Sequence, residues 1–526
     1  MKSLIIKIVV GFGLTAALHS CSDFLEQPIL GENIDTPSYY DNEENANMAV
    51  IACYNGLAYE ANLSTFQWMY GDVMSDDAWK GGETAGDSDD MEFLKQWSAL
   101  STNTYLINTW KAYYTAIHRT NTVIEKMQNV TFSSSLKEQY IAEAKFIRAY
   151  SYFTLVKLYG DLPLFTKPVD VDKIGTVERT PFEEVLKQIE DDLKDAADAL
   201  PLKYSSEEVG RVTSGAAQAL HARVIMYEIG IFKNRPETAW QDVYDLTSSV
   251  ISSGVYSLLP NYAEIFEEEG ENSSESVFEI QYATTNTGYN FDNQGNASSI
   301  YVANRGTNDL PEWGWGFNCP TQSLVDEFEP NDPRLYCTVH GNGITDYVYG
   351  VKQEVAQKPH LTGYAARKLA IDPALRPSNQ SDSPFNERII RYSDVLLMKA
   401  EAAYHLSLEK EARDCVNMVR ERARKSTYPK GYEANSKTYI QTGFSDNLKD
   451  ITVSGADLLK AIKHERRVEF GMEALRYWDL VRWGDYRETL TEKAKVDFDK
   501  RQLRGVPVIP IPNEEVISWG LTQNPN

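Results

Sequence analysis

Trp313 and Trp315 stand two apart in the decapeptide PEWGWGFNCP (311–320), among glycines that cannot hold a helix and that weaken a strand. An indole in such a loop either plugs a core or offers a flat apolar face to a ligand. Sugars suit the second use: a pyranose has a C–H face that stacks on an indole and a hydroxyl rim that amides, carboxylates and guanidinium groups satisfy. Side chains of those kinds crowd the same stretch, in Asn290, Asp292, Asn293, Gln294, Asn304, Arg305, Asn308 and Asp309, with Tyr289 beside them. Upstream, GDVMSDDAWKGGETAGDSDD (71–90) has the same acidic, glycine-rich texture around Trp79. Trp313, Trp315, Tyr289, Trp79, Arg305 and Asn290 are therefore the candidate ligand-binding residues. The competing reading is structural, since most aromatic side chains are buried and glycine can simply permit close packing.

Covalent chemistry finds little support. The chain has no G-x-S-x-G elbow, H-E-x-x-H, G-x-x-x-x-G-K-[ST] or G-x-G-x-x-G. His221 and His464 fall in helical stretches and read as structural. An acidic chain supplies carboxylate pairs at every spacing, so a surface glycoside hydrolase stays open as an alternative until their separations in space are known. The run Asp87, Asp89, Asp90 and Glu92 has the carboxylates to hold calcium but lacks the spacing of an EF-hand and reads as a solvated loop; calcium stays open as an alternative, and no metal or cofactor is predicted. No CxxC pair suggests zinc, and a Cys319–Cys337 disulfide is conceivable, with buried thiols the default for Cys53, Cys319, Cys337 and Cys415.

The elements that must hold these residues are helical. Thr180-Pro181-Phe182-Glu183 reads as an N-cap, a Pro at the first helical position and an acid in the first turn, followed by Val185, Leu186, Ile189, Leu193 and Ala196 on one face. Further helices start at Thr213-Ser214 and near Pro236, and one upstream is striped by Tyr140, Ala144, Ile147, Ser151 and Leu158. A second block carries Ile389, Tyr392, Leu396, Ala400 and Ala403, a break near Ser407, then Ala412, Cys415, Val416, Val419 and Ala423. Paired helices with small residues at their crossings suit a tetratricopeptide-like scaffold, with a non-repeat bundle as the alternative. Between the blocks, over residues 255–385, helical period vanishes while aromatics persist, the texture of long irregular structure that carries function on a rigid frame. The expected fold is mostly α, a helical scaffold over 40–254 and 386–485 with a loop-rich ligand-binding region at 255–385, in a single domain spanning 21–526.

The chain of 526 residues is 42% hydrophobic and carries a net charge of −24, which disfavours nucleic acid and anionic membrane surfaces. Lys2 and Lys7 flank an apolar stretch too short to span a bilayer, and Leu18-His19-Ser20-Cys21 follows it. Residues 1–20 read as a lipoprotein-type signal peptide, with Cys21 acylated as the first residue of the mature protein.

The chain resembles the SusD/RagB nutrient-binding lipoproteins of Gram-negative outer membranes. The resemblance runs from Cys21 to the last residue and is carried by CSDFLEQP, GDVMSDDAW, EAKFIRAYSYFTLVKLYGDLPL, RVTSGAAQALHARVIMY, CPTQSLVDEFEPNDPR, RIIRYSDVLLMKAEAAYHL, HERRVEFGMEALRYWDLVRWG and IPIPNEEVISWGLTQNPN, in family order. It implies a tetratricopeptide-like scaffold, a surface-exposed, lipid-anchored place on the outer membrane, and non-catalytic capture of a glycan for a SusC-like TonB-dependent transporter. Some members take peptides, which leaves a peptide-capturing lipoprotein as the alternative. Trp313 and Trp315 lie where the family often puts a stacking aromatic, just ahead of PTQSLVDEF, and Trp79 where its N-terminal insert contributes another. The charges of HERRVEFGMEALRYWDLVRWG are too many for an apolar helix face and are expected to be paired, partly buried and structural. In CPTQSLVDEFEPNDPR, Thr321 is expected to cap a helix that Asp332-Pro333 ends.

Overall fold

The computed structural model describes residues 37–62, 67–169, 177–284, 295–440, 448–496 and 508–524. Cys21, Tyr289 and Asn290 lie outside the described residues.

The chain is mostly helical. Its frame is α1 (Glu43–Asn62), α2 (Thr104–Lys126), α3 (Ser134–Tyr159), α4 (Phe182–Ala199), α5 (Ser214–Tyr227), α6 (Trp240–Ser252), α7 (Tyr392–His405), α8 (Glu409–Lys425) and α9 (Ala456–Phe470). From α1 to α8 each helix packs on the next, and α9 packs on α7 and α8. Small side chains make the close approaches possible: Ala216, Ala217, Ala219 and Ala222 of α5 and Ala400, Ala402 and Ala403 of α7 are all buried. Local chemistry sets the helix starts. The Asn103 carboxamide oxygen accepts from the Tyr105 and Leu106 amides at 3.0 and 3.4 Å, and the Thr213 hydroxyl accepts from Ala216 at 3.1 Å. The start of α4 differs from expectation. Thr180 is taken up in a two-way backbone bridge with Leu162, Pro181 becomes the flanking residue, and the Asp161 carboxylate accepts from the Phe182 amide at 2.9 Å in place of the expected threonine cap.

α6 and α7 pack directly on each other although the whole of 253–391 separates them in sequence, so that stretch loops out of the helical stack. Strand β2 (Ser276–Ile280) pairs antiparallel with β4 (Glu387–Arg391) and ties off its base. Farther out, β1 (Ala78–Gly81) pairs antiparallel with β3 (Phe317–Pro320).

The charged helix α9 is paired as expected. Glu465 meets Arg334 at 2.6 Å and Arg420 at 2.9 Å, and Glu469 meets Arg391 at 3.0 Å and Arg334 at 3.1 Å. Arg466 meets Asp394 at 2.8 Å and Asp479 at 3.1 Å, and Arg467 reaches Asp76, Asp77 and Glu327 within 2.9 Å. Burial opposes ionisation of Glu469, but Arg422, Arg391 and Arg334 together hold its carboxyl well below the ordinary range.

Candidate functional site

The two inserts that carry the candidate indoles are stitched together. In the β1–β3 ladder Trp79 lies opposite Cys319 and Gly81 opposite Phe317, and the Gly82 amide extends it to the Gly316 carbonyl at 2.8 Å. The Trp loop then folds back on the short helix Ser298–Val302, whose terminal carbonyls need donors. Trp315 donates its amide to Ile300 at 2.8 Å and Gly316 donates to Ala303 at 2.9 Å. A Cβ on Gly314 would stand 1.9 Å from the Ala303 carbonyl oxygen, and Gly316 has φ +72°, so both positions need glycine. The glycines of the decapeptide thus press its backbone onto that helix and fix where each indole emerges.

Neither indole is buried. Trp315 is half-buried, its ring 4.5 Å from that of Tyr301 at an interplanar angle of 60°, and it packs on the core edge. Trp313 is half-buried with the Arg376 guanidinium 5.4 Å from its ring. Trp315 thus spends one side on packing, and both indoles keep some surface in water. Trp79 is half-buried too, with Lys95 5.3 Å from its ring centre, but its indole nitrogen is buried and has no hydrogen-bond partner among the described residues. Arg305 sits beside the Trp loop, 3.5 Å from the Trp315 carbonyl and 2.8 Å from the Glu83 carboxylate. Trp79, Arg305, Trp313 and Trp315 thus share one region. Asn304 turns inward, its amide donating to the Glu354 carbonyl at 3.1 Å and accepting from Gly306 at 3.0 Å, while Asn308 and Asp309 are exposed.

Four residues that sequence reasoning left without a role complete the surround: Glu83, Lys358, Arg376 and Tyr301. The Glu83 amide donates to Asp87 at 2.8 Å, its carbonyl accepts from Lys358 at 3.2 Å, and the buried Lys80 ammonium donates to Ala85 at 3.0 Å and to the Asp87 carbonyl. Burial depresses the Lys80 ammonium, though Glu92, Asp87 and Asp89 favour its charge. The acidic run is not the expected solvated loop: Asp89, Asp90 and Glu92 open a helix, Asp89–Lys95, and the run has structural duties, with Asp87 holding Glu83, Asp90 accepting from the Thr104 amide at 2.8 Å and Glu92 accepting from Gln96 at 2.7 Å.

After β3, Thr321 accepts from the Leu324 amide at 3.3 Å and donates to the Asp76 carbonyl at 2.7 Å, capping the helix Gln322–Glu327 as expected. That helix ends before Asp332-Pro333, which opens a new helix, Pro333–Thr338, with the Asp332 carboxylate capping the Arg334 amide at 2.9 Å. Pro333 has no amide hydrogen to satisfy, which suits the first turn. Asp72, fully buried, accepts from Asn318 at 3.1 Å and from the Ala474 amide at 2.9 Å; burial pushes its carboxyl up to about 7. The conceivable Cys319–Cys337 disulfide does not form. Both thiols are free and buried, burial pushes each up to about 12, and Cys319 donates to the Gly316 carbonyl at 3.3 Å.

A groove of about 1210 Å³ lies elsewhere, lined among others by Tyr39, Met48, Ile51, Arg119, Arg211 and Gln281. Trp79, Arg305, Trp313 and Trp315 do not line it.

Residues 274–525 match the SusD family, and residues 27–226 match a family described as starch-binding and associating with the outer membrane. The chain belongs to the SusD/RagB family. A SusD-like protein of Formosa agariphila is 26% identical over 511 residues, 91% of this chain and 89% of that one. Among solved structures, surface glycan-binding protein A from Bacteroides fluxus aligns with a TM-score of 0.77 at 26% identity, over 92% of this chain and 99% of that chain. A laminarin-binding SusD-like protein aligns at 0.76 and 25%, over the same shares. The helical frame of this SusD-family chain is thus that of proteins whose names record glycan binding.

Proposed function

We propose that the protein captures a glycan outside the cell on the Trp313–Trp315 platform, leaves it chemically unchanged and passes it to a SusC-like TonB-dependent transporter. The observation that carries this reading is the pair of half-open indoles on a loop fixed by backbone hydrogen bonds, with Arg305 and Glu83 alongside to meet hydroxyls. Glycan binding by structural relatives supports it. Acylation of Cys21 tethers the protein to the outer membrane, in keeping with the outer-membrane association in the description of the family matched by 27–226. Tyr289 and Asn290 are proposed to add to the grip. Held beside a transporter, a modest glycan affinity acts at high effective concentration.

The test is a panel of soluble polysaccharides in affinity electrophoresis with purified protein, beside a peptide panel and a reducing-end assay. Retardation by at least one glycan is expected, with no reducing ends released. Trp313→Ala and Trp315→Ala are each expected to weaken binding about thirtyfold, roughly 2 kcal/mol for one lost stacking face. Release of reducing ends, or binding of peptides alone, would overturn the reading. Lipid labelling lost in Cys21→Ala and co-purification with a TonB-dependent transporter test the tether and the partner.

A further inference from the structure

Resting on the platform reading above, we infer that the ligand is an uncharged glycan and that Glu83 is the residue that enforces this. Arginine reads carboxylate and sulfate groups through its planar fork of donors. Arg305, with 39% of its side chain exposed, is a guanidinium beside Trp315; one arm of its fork is engaged by Glu83 at 2.8 Å and another reaches the Trp315 carbonyl at 3.5 Å. The Glu83 side chain is 60% exposed, but the backbone that presents it is fixed. Its amide is held by Asp87, its carbonyl receives the Lys358 ammonium, and Lys80 ties down the loop behind it.

Two more cations nearby have acidic neighbours, while the exposed Lys358 ammonium meets the Glu83 carbonyl. Arg376, against Trp313, stands 3.9 Å from Glu312, and Lys352 stands 3.3 Å from Glu354, the residue whose carboxylate accepts from Thr307 at 3.2 Å. Asp309 is exposed on the intervening turn, and the whole chain carries −24. A uronate or sulfate ester arriving at the indoles would have to displace Glu83 from Arg305 and then sit beside the displaced carboxylate. A pair of sugar hydroxyls needs no displacement. One can donate to the Glu83 oxygens while its neighbour accepts from Arg305, because a hydroxyl both donates and accepts. The ion pair therefore acts as a recognition unit for a neutral diol and as a barrier to anions.

The experiment titrates wild type, Glu83→Gln, Arg305→Gln and the double variant, each checked by thermal melting, against uncharged polysaccharides (laminarin, soluble starch, xyloglucan, galactomannan) and anionic ones (alginate, polygalacturonate, chemically sulfated laminarin) at 50 and 500 mM NaCl. Wild type is expected to bind only uncharged members, with less than a twofold response to salt. Glu83→Gln is expected to raise affinity for anionic members tenfold or more at 50 mM NaCl, with the gain lost at 500 mM and absent from the double variant. Tighter binding of any anionic polymer than of every uncharged one, or no gain in Glu83→Gln, overturns the inference while glycan capture stands. Failure to bind any polymer of either class overturns both.

Discussion

His464 of α9 offers a graded test of how the scaffold holds the platform. Its ring lies 2.6 Å from Glu327 and 3.4 Å from Glu329, at the end of the helix that leaves β3. Burial alone would lower its proton affinity, but the hydrogen bonds to Glu327 and Glu329, with Glu465 adding to the pull, raise its pKa from 6.5 to about 9. Burial would likewise raise the two acids, yet His464 with Arg467 and Arg420 brings both down to about 2. Each tenfold change in proton affinity corresponds to about 1.4 kcal/mol, so the His464 shift alone would amount to ~3 kcal/mol. The ring is 27% exposed and shares its acids with two arginines, which brings the working figure to about 1–2 kcal/mol. Because the folded pKa lies above the unfolded one, this stability is fully present below about pH 6.5 and is lost as the pH rises through 9. His464→Gln is expected to be less stable than wild type by about 1–2 kcal/mol at pH 6, with the gap closing by about pH 9.5, in urea unfolding followed by tryptophan fluorescence. A gap that stays constant across that range would refute the charged-histidine clamp.

Three further outcomes follow from the packing. Gly314→Ala places a methyl 1.9 Å from the Ala303 carbonyl and is expected to cost about 1–3 kcal/mol and to lose glycan binding in calorimetry, whereas Gly86→Ala, which meets nothing within 4 Å, is expected to do neither. Arg334→Ala strips a fully buried guanidinium from Asp332, Glu465 and Glu469 and is expected to lower unfolding stability by about 3–5 kcal/mol, since it leaves buried carboxylates short of a partner. Cys53, Cys319, Cys337 and Cys415 are free, buried and pushed up to between about 11 and 12 by burial. In a Cys21→Ser protein all four should resist a thiol reagent when folded and react when denatured; a count below four after denaturation would mean a disulfide.

The helices were legible because a 3.6-residue apolar period and capping side chains are local properties, as at Thr213 and along Val185, Leu186, Ile189 and Leu193. The same locality misled at Thr180, where a tertiary bridge to Leu162 outbid the cap, and at Asp332, which reads equally well as the end of one helix and the start of another. That the charges of α9 are paired followed from their density, but their partners did not: Arg334, Arg391 and Arg420 come from distant segments. At the site, the texture of two glycine-rich, tryptophan-bearing stretches marked the region. Their pairing through Trp79 and Cys319 carries no sequence signal, since a three-rung ladder between remote strands has no period to detect. Glu83 and Lys358 were invisible for the same reason: their roles exist only once Arg305 and the 354–361 stretch are folded against the first insert.

The most direct test of the account is a crystal structure with a bound oligosaccharide from the glycan that the protein retains. The account predicts a pyranose ring lying flat within about 4 Å of the Trp313 or Trp315 indole, with hydroxyls shared between Arg305 and Glu83. A saccharide seated in the groove beside Met48 and Ile51, with both indoles bare, would contradict it.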